Sequence, residues 1–80
     1  MKTIEETVFA ALKENTNWDG EIKMEHTLRD ELGIDSFGVL MIVNTLEDEF
    51  DIVITNEDIA GLSTVADITN RLHEILSVTA

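Results

Sequence analysis

Hydrophobic side chains recur every three or four residues in three long segments, a spacing that places them on one face of an α-helix. The predicted helices cover residues 4–14, 36–51 and 64–76, and a shorter helix covers residues 55–60. Thr3 and Glu6 form a capping-box pattern at the first helix, and Thr55 caps the short one. The apolar faces of the three long helices are formed by Ile4, Val8, Ala11 and Leu12; by Val39, Leu40, Ile42, Val43, Leu46 and Phe50; and by Val65, Ile68, Leu72, Ile75 and Leu76. We therefore expect an all-α fold, a small bundle of three main helices plus one short helix.

The segments between these helices lack a regular pattern. Residues 15–25 are polar and irregular, which predicts a long loop between helices one and two, and residues 27–32 are predicted to form one turn that Gly33 ends. Residues 51–54 alternate weakly, but the chain offers no second strand to pair with them, so a loop is preferred there. No proline, repeat or linker interrupts the chain, and we expect a single domain over residues 1–80.

Composition narrows the classes of function. Acids outnumber bases 17 to 5, for a net charge of −12, which argues against binding to nucleic acids and to anionic membranes. The hydrophobic fraction of 44% is high enough for the chain to fold, and without cysteine it has no disulfide or thiolate metal site. No apolar run is long enough to span a membrane, and the start lacks the apolar core of a signal peptide. We expect a cytoplasmic monomer.

A serine stands where the second helix is predicted to begin. Gly33 provides a turn, and Asp35 and Ser36 follow at the junction of loop and helix. Free backbone N–H groups and the helix dipole at such a junction favour an attached anion, so a phosphate ester on Ser36 would be stabilised there. The alternative is that Asp35 and Ser36 only cap the helix, as these residue types commonly do.

The acidic residues are unevenly distributed. No lysine or arginine lies between Arg29 and Arg71, and this stretch holds ten acids, four of them within residues 47–51 at the end of the second helix. Acids at a helix C-terminus oppose the dipole and repel one another. They form either a solvated acidic face or a docking surface for basic partners.

The chain resembles an acyl carrier protein over residues 28–72. The residues that carry the resemblance are Leu32-Gly33-x-Asp35-Ser36-Phe37, then Val43, then Leu46-Glu47-Asp48-Glu49-Phe50-Asp51, then Ile54, Thr64-Val65 and Ile68. The Gly-x-Asp-Ser motif becomes specific when the Leu-Glu-Asp-Glu-Phe block follows at this distance. Length, acidity and the order of the helices also agree with that family.

The resemblance implies that Ser36 carries 4′-phosphopantetheine, which a separate phosphopantetheinyl transferase takes from coenzyme A with Mg²⁺. The thiol of that group would hold acyl groups as thioesters for enzymes of fatty-acid, polyketide or related biosynthesis, so the chain itself would not be an enzyme. Asp35 would contribute to recognition by the transferase. The second helix would be read by basic patches on acyl-loading and acyl-processing enzymes. The expected partner contacts are Phe37, Gly38, Met41, Glu47 and Asp48.

The interior of the bundle could shelter part of an acyl chain. The residues expected to line such a cavity are Leu32, Leu46, Ile54, Ile59, Leu62 and Ile68, which could equally form an ordinary core. Departures from the family pattern predict a specialised carrier: Phe37 replaces the usual leucine, and Gly38 and Met41 stand where fatty-acid carriers are often acidic. Alternatively, Phe37 and Met41 fold back onto the bundle.

Other functions fit the sequence less well. Residues 15–22 follow the start of a calcium-binding EF-hand loop, but His26 stands where the bidentate glutamate is required, and we expect no metal site. A serine hydrolase would need a histidine beside Ser36, and the motif lacks the glycine two residues before the serine. An acidic helical adaptor and an aminoacyl or peptidyl carrier remain as alternatives.

Overall fold

The structure, a computed structural model, describes residues 3–79, with side chains over residues 3–77. It is built of four helices, α1 (Ile4–Asn15), α2 (Ser36–Phe50), α3 (Asn56–Ala60) and α4 (Val65–Thr79). No strand occurs within residues 3–79, so the predicted all-α bundle is confirmed, although α4 continues three residues beyond its predicted end. Residues 1, 2 and 80 of the predicted domain lie outside the described residues, and its extent stays a prediction. No helix in this range is both long and apolar enough to cross a bilayer.

Short-range hydrogen bonds set where the helices begin. Thr3 and Glu6 form a reciprocal capping box at α1, as predicted, and Thr55 with Asp58 forms a second one at α3. In each box a threonine hydroxyl accepts from the backbone N–H three residues later, and the acid accepts from the backbone N–H of the threonine. These boundaries follow from neighbouring residues alone, which is why the sequence predicts them well.

A single hydrophobic cluster fills the space between the helices. Its fully buried members on helices include Val8 and Leu12 of α1, Leu46 of α2 and Leu72 of α4. The long loop between α1 and α2 also contributes buried side chains, which are Ile22, Leu28, Leu32 and Ile34. The burial of Ile22 departs from the polar, irregular loop predicted over residues 15–25, whereas Leu32 is expected inside the bundle. The segment as a whole supplies a substantial part of the core.

Backbone pairing anchors that loop to the start of α4. Thr27 and Thr64 form an isolated antiparallel bridge, and the backbone N–H of Leu28 donates to the carbonyl of Ser63 at 2.9 Å. The N–H of Ile34 then donates to the Leu28 carbonyl at 2.7 Å, which closes the predicted turn. This pairing holds the turn directly before α2 in a defined position.

The end of α2 uses an acid for structure. Asp51 caps the helix in the left-handed conformation (φ 54), with its N–H bonded to the carbonyl of Glu47. The Glu47 carboxylate accepts a hydrogen bond from the Ile54 N–H at 2.8 Å. This bond ties the loop after α2 to the helix, and the prediction of a loop rather than a strand at residues 51–54 is confirmed.

Capping carboxylates make stability depend on pH. The backbone N–H of Thr55 lowers the pKa of Asp58, and the N–H of Thr64 lowers the pKa of Asp67, each below an ordinary 3.8. A lowered folded-state pKa contributes stability that is present above the unfolded pKa and is lost as pH falls through the folded pKa. In thermal unfolding, the stability advantage of the wild type over Asp67→Asn should shrink as pH falls below about 4.

Asp48→Asn serves as the control, because Asp48 is exposed and none of the described hydrogen bonds involves its carboxylate. The difference in melting temperature between wild type and Asp48→Asn should change less over the same pH range. An Asp67→Asn difference that stays constant from pH 7 to pH 3 would contradict the capping role of this carboxylate.

Candidate functional site

Ser36 is the first residue of α2, and its side chain is exposed. The preceding Asp35 is the N-cap, and its carboxylate accepts a hydrogen bond from the Gly38 N–H at 2.8 Å. Capping is therefore performed by Asp35 alone. The Ser36 hydroxyl is not needed for that purpose and lies at the positive end of a 15-residue helix.

An arginine from the preceding turn contacts this hydroxyl. Nη2 of Arg29 donates a hydrogen bond to Oγ of Ser36. The turn that carries Arg29 closes when the Gly33 N–H donates to the Arg29 carbonyl at 3.1 Å, with Gly33 at φ +67, a conformation that favours glycine. The sequence does not predict this contact, because the contact depends on how the turn folds. In the sequence, Arg29 is notable only as the last base before a long stretch without lysine or arginine.

A groove opens beside the serine. It has a volume of about 380 Å³ and is lined by Arg29, Ser36, Val39, Leu40, Ile59, Ala60 and Leu62. Ile59 and Leu62 were among the predicted lining residues, whereas Val39 and Leu40 were expected on the buried face of the helix. Leu40 is in fact 47% exposed.

The other predicted lining residues lie deeper. Leu32, Leu46 and Ile68 are fully buried members of the hydrophobic cluster, and Ile54 is partly buried against it. Their burial fits an ordinary core, and a role of these four in lining an acyl chain stays a prediction. None of these four residues lines the groove beside Ser36, whereas Ile59 and Leu62 do.

The predicted partner residues divide into exposed and structural ones. Phe37 is 71% exposed and Met41 is 42% exposed, so they do not fold back onto the bundle. Asp48 is exposed as well, whereas Glu47 is partly buried and holds the loop after α2. The prediction that Gly38 lies on the docking face is wrong: Gly38 is buried, because α2 packs so closely on the preceding turn that a Cβ there would lie 2.7 Å from Ile34 Cγ2.

The geometry does not support the competing sites. Nε2 of His73 lies 2.9 Å from a carboxylate oxygen of Glu5, and Nδ1 of His26 accepts a hydrogen bond from the Lys23 N–H at 2.9 Å. Neither histidine contacts Ser36, so no catalytic triad forms around it. Among the described residues, no group of three or more acidic or histidine side chains could hold a metal ion.

Comparison with known proteins identifies the family. The model of the phosphopantetheine attachment site matches residues 6–72. The chain belongs to this family of acyl carrier proteins. An acyl carrier protein of Clostridium acetobutylicum is 42% identical over 52 residues, which cover 65% of this chain and 68% of the relative. One of an Exiguobacterium species is 48% identical over 48 residues, 60% of this chain and 61% of the relative.

The fold of one solved structure matches that of this chain over nearly its whole length. A putative acyl carrier protein from Mycobacterium tuberculosis superposes with a TM-score of 0.78 at 31% identity, covering 98% of this chain and 100% of that one. The described helices thus have the acyl carrier fold. The protein is an acyl carrier, and its prosthetic group is 4′-phosphopantetheine.

The residues around the start of α2 fit such a group. A phosphodiester needs an accessible hydroxyl for attachment and benefits from hydrogen-bond donors and positive charge nearby. The exposed Ser36 hydroxyl, the helix N-terminus and the Arg29 guanidinium offer these features together. The adjoining groove is lined mainly by apolar side chains and offers a surface for the organic part of the group.

Proposed function

We propose that this carrier holds its 4′-phosphopantetheine in phosphodiester linkage to Ser36 and carries acyl groups as thioesters on the terminal thiol. The observation that supports this assignment is the exposed hydroxyl of Ser36 at the start of α2, left free of capping because Asp35 performs it. Membership of the family supports the chemistry of the prosthetic group, and the exposure of Ser36 supports the proposed point of attachment.

Attachment requires little chemistry from the carrier. The Ser36 oxygen would attack the phosphate next to the pantetheine of coenzyme A, so that a new P–O bond forms while the pyrophosphate bond breaks and the nucleotide leaves. The serine proton would pass to a base of the transferase, since no histidine contacts Ser36. We infer that the chain itself catalyses no reaction and that Asp35, by fixing the start of α2, presents the hydroxyl to the transferase.

We also propose the surface that partner enzymes contact. The exposed apolar side chains of Phe37 and Met41 lie within the first two turns after Ser36, and exposed Asp48 lies farther along the same helix. Basic patches on the transferase and on acyl-loading and acyl-processing enzymes would pair with the acidic side chains, and apolar contacts would form near the serine. The carrier would act in this way as a cytoplasmic monomer in fatty-acid, polyketide or related biosynthesis.

The assignment is tested by mass spectrometry on the wild-type protein. After incubation with coenzyme A, Mg²⁺ and a broad-specificity phosphopantetheinyl transferase, the intact mass should increase by one phosphopantetheine. Cleavage after glutamate separates the three serines, because residues 32–47 contain only Ser36, residues 58–74 only Ser63 and residues 75–80 only Ser77.

The added mass should appear on the peptide of residues 32–47. Its appearance on either of the other serine-containing peptides would contradict the assignment to Ser36. No gain in mass with several transferases would contradict the proposed attachment as a whole.

A further inference from the structure

The two arginines of the chain, Arg29 and Arg71, have different kinds of hydrogen-bond and ion-pair partners. Arg71 forms ion pairs with Asp58 at 3.4 Å and with Glu74 at 3.0 Å. Within residues 3–77, Arg29 forms no ion pair, and the partner of its guanidinium is the neutral hydroxyl of Ser36. In a chain with a net charge of −12, Arg29 therefore holds its positive charge beside Ser36 without a carboxylate partner among these residues.

The backbone around Arg29 is held in place before any group is attached. Its carbonyl accepts from the Gly33 N–H, and the neighbouring Leu28 is bonded through its N–H to the Ser63 carbonyl at 2.9 Å. The arginine also lines the groove that contains Ser36. Since the backbone is fixed, only the side chain has to adjust when the charge on Ser36 changes.

No other lysine or arginine lies in the segment that runs from Arg29 through the end of α2. The next base after Arg29 is Arg71, and ten acids lie between them. A phosphodiester on Ser36 would add a negative charge to this acidic region. A guanidinium offers several N–H donors in a planar fork that matches the oxygens of a phosphate. A single neutral hydroxyl accepts from only some of these donors.

We propose that Arg29 is the counter-ion of the phosphodiester on Ser36, an inference that rests on the proposed attachment site. In the unmodified protein its guanidinium donates to the Ser36 hydroxyl, and after modification it donates to phosphate oxygens instead. Arg29 thereby offsets the added charge and orients the phosphate at the start of α2. It acts as a positioning residue and takes no part in bond making.

The test compares unmodified and modified forms of the wild type, Arg29→Gln, Arg29→Lys and the control Arg71→Gln. The quantity measured is the factor by which modification changes the equilibrium constant of unfolding. For Arg29→Gln, the stabilising factor should be about two- to fivefold smaller than for wild type at low salt, the range of an exposed ion pair. The difference should largely disappear near 1 M salt, where charges are strongly screened.

The variants separate charge from general stability. Arg71→Gln loses its own ion pairs in both forms, so the factor due to modification should match that of the wild type. Arg29→Lys keeps the charge without the planar fork and should retain part of the factor. If Arg29→Gln and wild type gain equally from modification, the inference is overturned.

A second measurement uses the wild type alone. In nuclear magnetic resonance spectra, the side-chain N–H signal of Arg29 should shift on modification, whereas that of Arg71 should stay in place. An unchanged Arg29 signal in a protein that mass spectrometry shows to be modified on Ser36 would overturn the role of Arg29. A failure of the proposed attachment site would be distinct, because the residue 32–47 peptide would then carry no added mass.

Discussion

Ser36→Ala is expected to abolish attachment of phosphopantetheine while changing the free energy of unfolding by no more than about 0.5 kcal/mol. The substitution removes the only atom to which the phosphate can be joined at this site. The helix keeps its cap, because Asp35 supplies the hydrogen bond to the Gly38 N–H. Intact mass after incubation with the transferase measures the first effect, and thermal or denaturant unfolding measures the second.

Two matched variants show whether the loss is specific. Ser63→Ala removes the hydroxyl of another exposed serine and should leave the gain in mass unchanged. Asp35→Ala removes the cap and should cost about 0.5–2 kcal/mol of stability, because the Gly38 N–H loses its partner. A large loss of stability in Ser36→Ala would show that the serine supports the fold, contrary to the division of roles between Asp35 and Ser36.

Gly38→Ala is expected to destabilise the carrier by about 1–3 kcal/mol, the usual cost of overpacking a core. An added Cβ would lie 2.7 Å from Cγ2 of Ile34, whose side chain is only 1% exposed and cannot move into solvent. The same Cβ would lie 3.4 Å from the capping oxygen of Asp35, an ordinary contact, so the strain comes from Ile34. Helix propensity alone predicts the opposite sign, because alanine is favoured over glycine by about 1 kcal/mol inside a helix.

Gly61→Ala is the control for this experiment. Gly61 has φ −86, and the nearest atom to an added Cβ is the carbonyl oxygen of Asp58 at 3.7 Å, an ordinary contact. This variant should match the wild type or gain about 0.4–1 kcal/mol from the stiffer unfolded chain. Denaturant unfolding of both variants decides the matter, and a Gly38→Ala protein as stable as the wild type would contradict the close packing of α2 on Ile34.

The corrections at the site have a common physical origin. Gly38 and Leu40 share α2 with the predicted docking residues, and the helical pattern cannot tell which neighbours cover each face. The preceding turn packs against Gly38 and buries it, whereas no element fully covers Leu40, which lines the groove beside Ser36. Glu47 is predicted to be a docking residue of the acidic cluster at the end of α2. In the structure the loop after α2 brings the Ile54 N–H close enough to donate a hydrogen bond to its carboxylate.

What the sequence by itself determined is the local structure and the position of the motif. Helix periods, capping boxes and the Gly-x-Asp-Ser motif each depend on residues a few positions apart, so they can be read without knowing the fold. For this reason the four helices, the caps at Thr3 and Thr55 and the placement of Ser36 at the start of α2 were predicted close to where the structure has them.

Only the tertiary structure decided how the long loop contributes to the core and to the site. Ile22 and Ile34 are buried because backbone bonds to the start of α4 fold a polar segment back onto the helices. The same folding brings Arg29 to Ser36, seven residues later, and opens the groove toward Ile59. The groove joins segments distant in sequence, and the contact of Arg29 with Ser36 depends on how the turn between them closes. Both arise from packing and hydrogen bonds that no local pattern encodes.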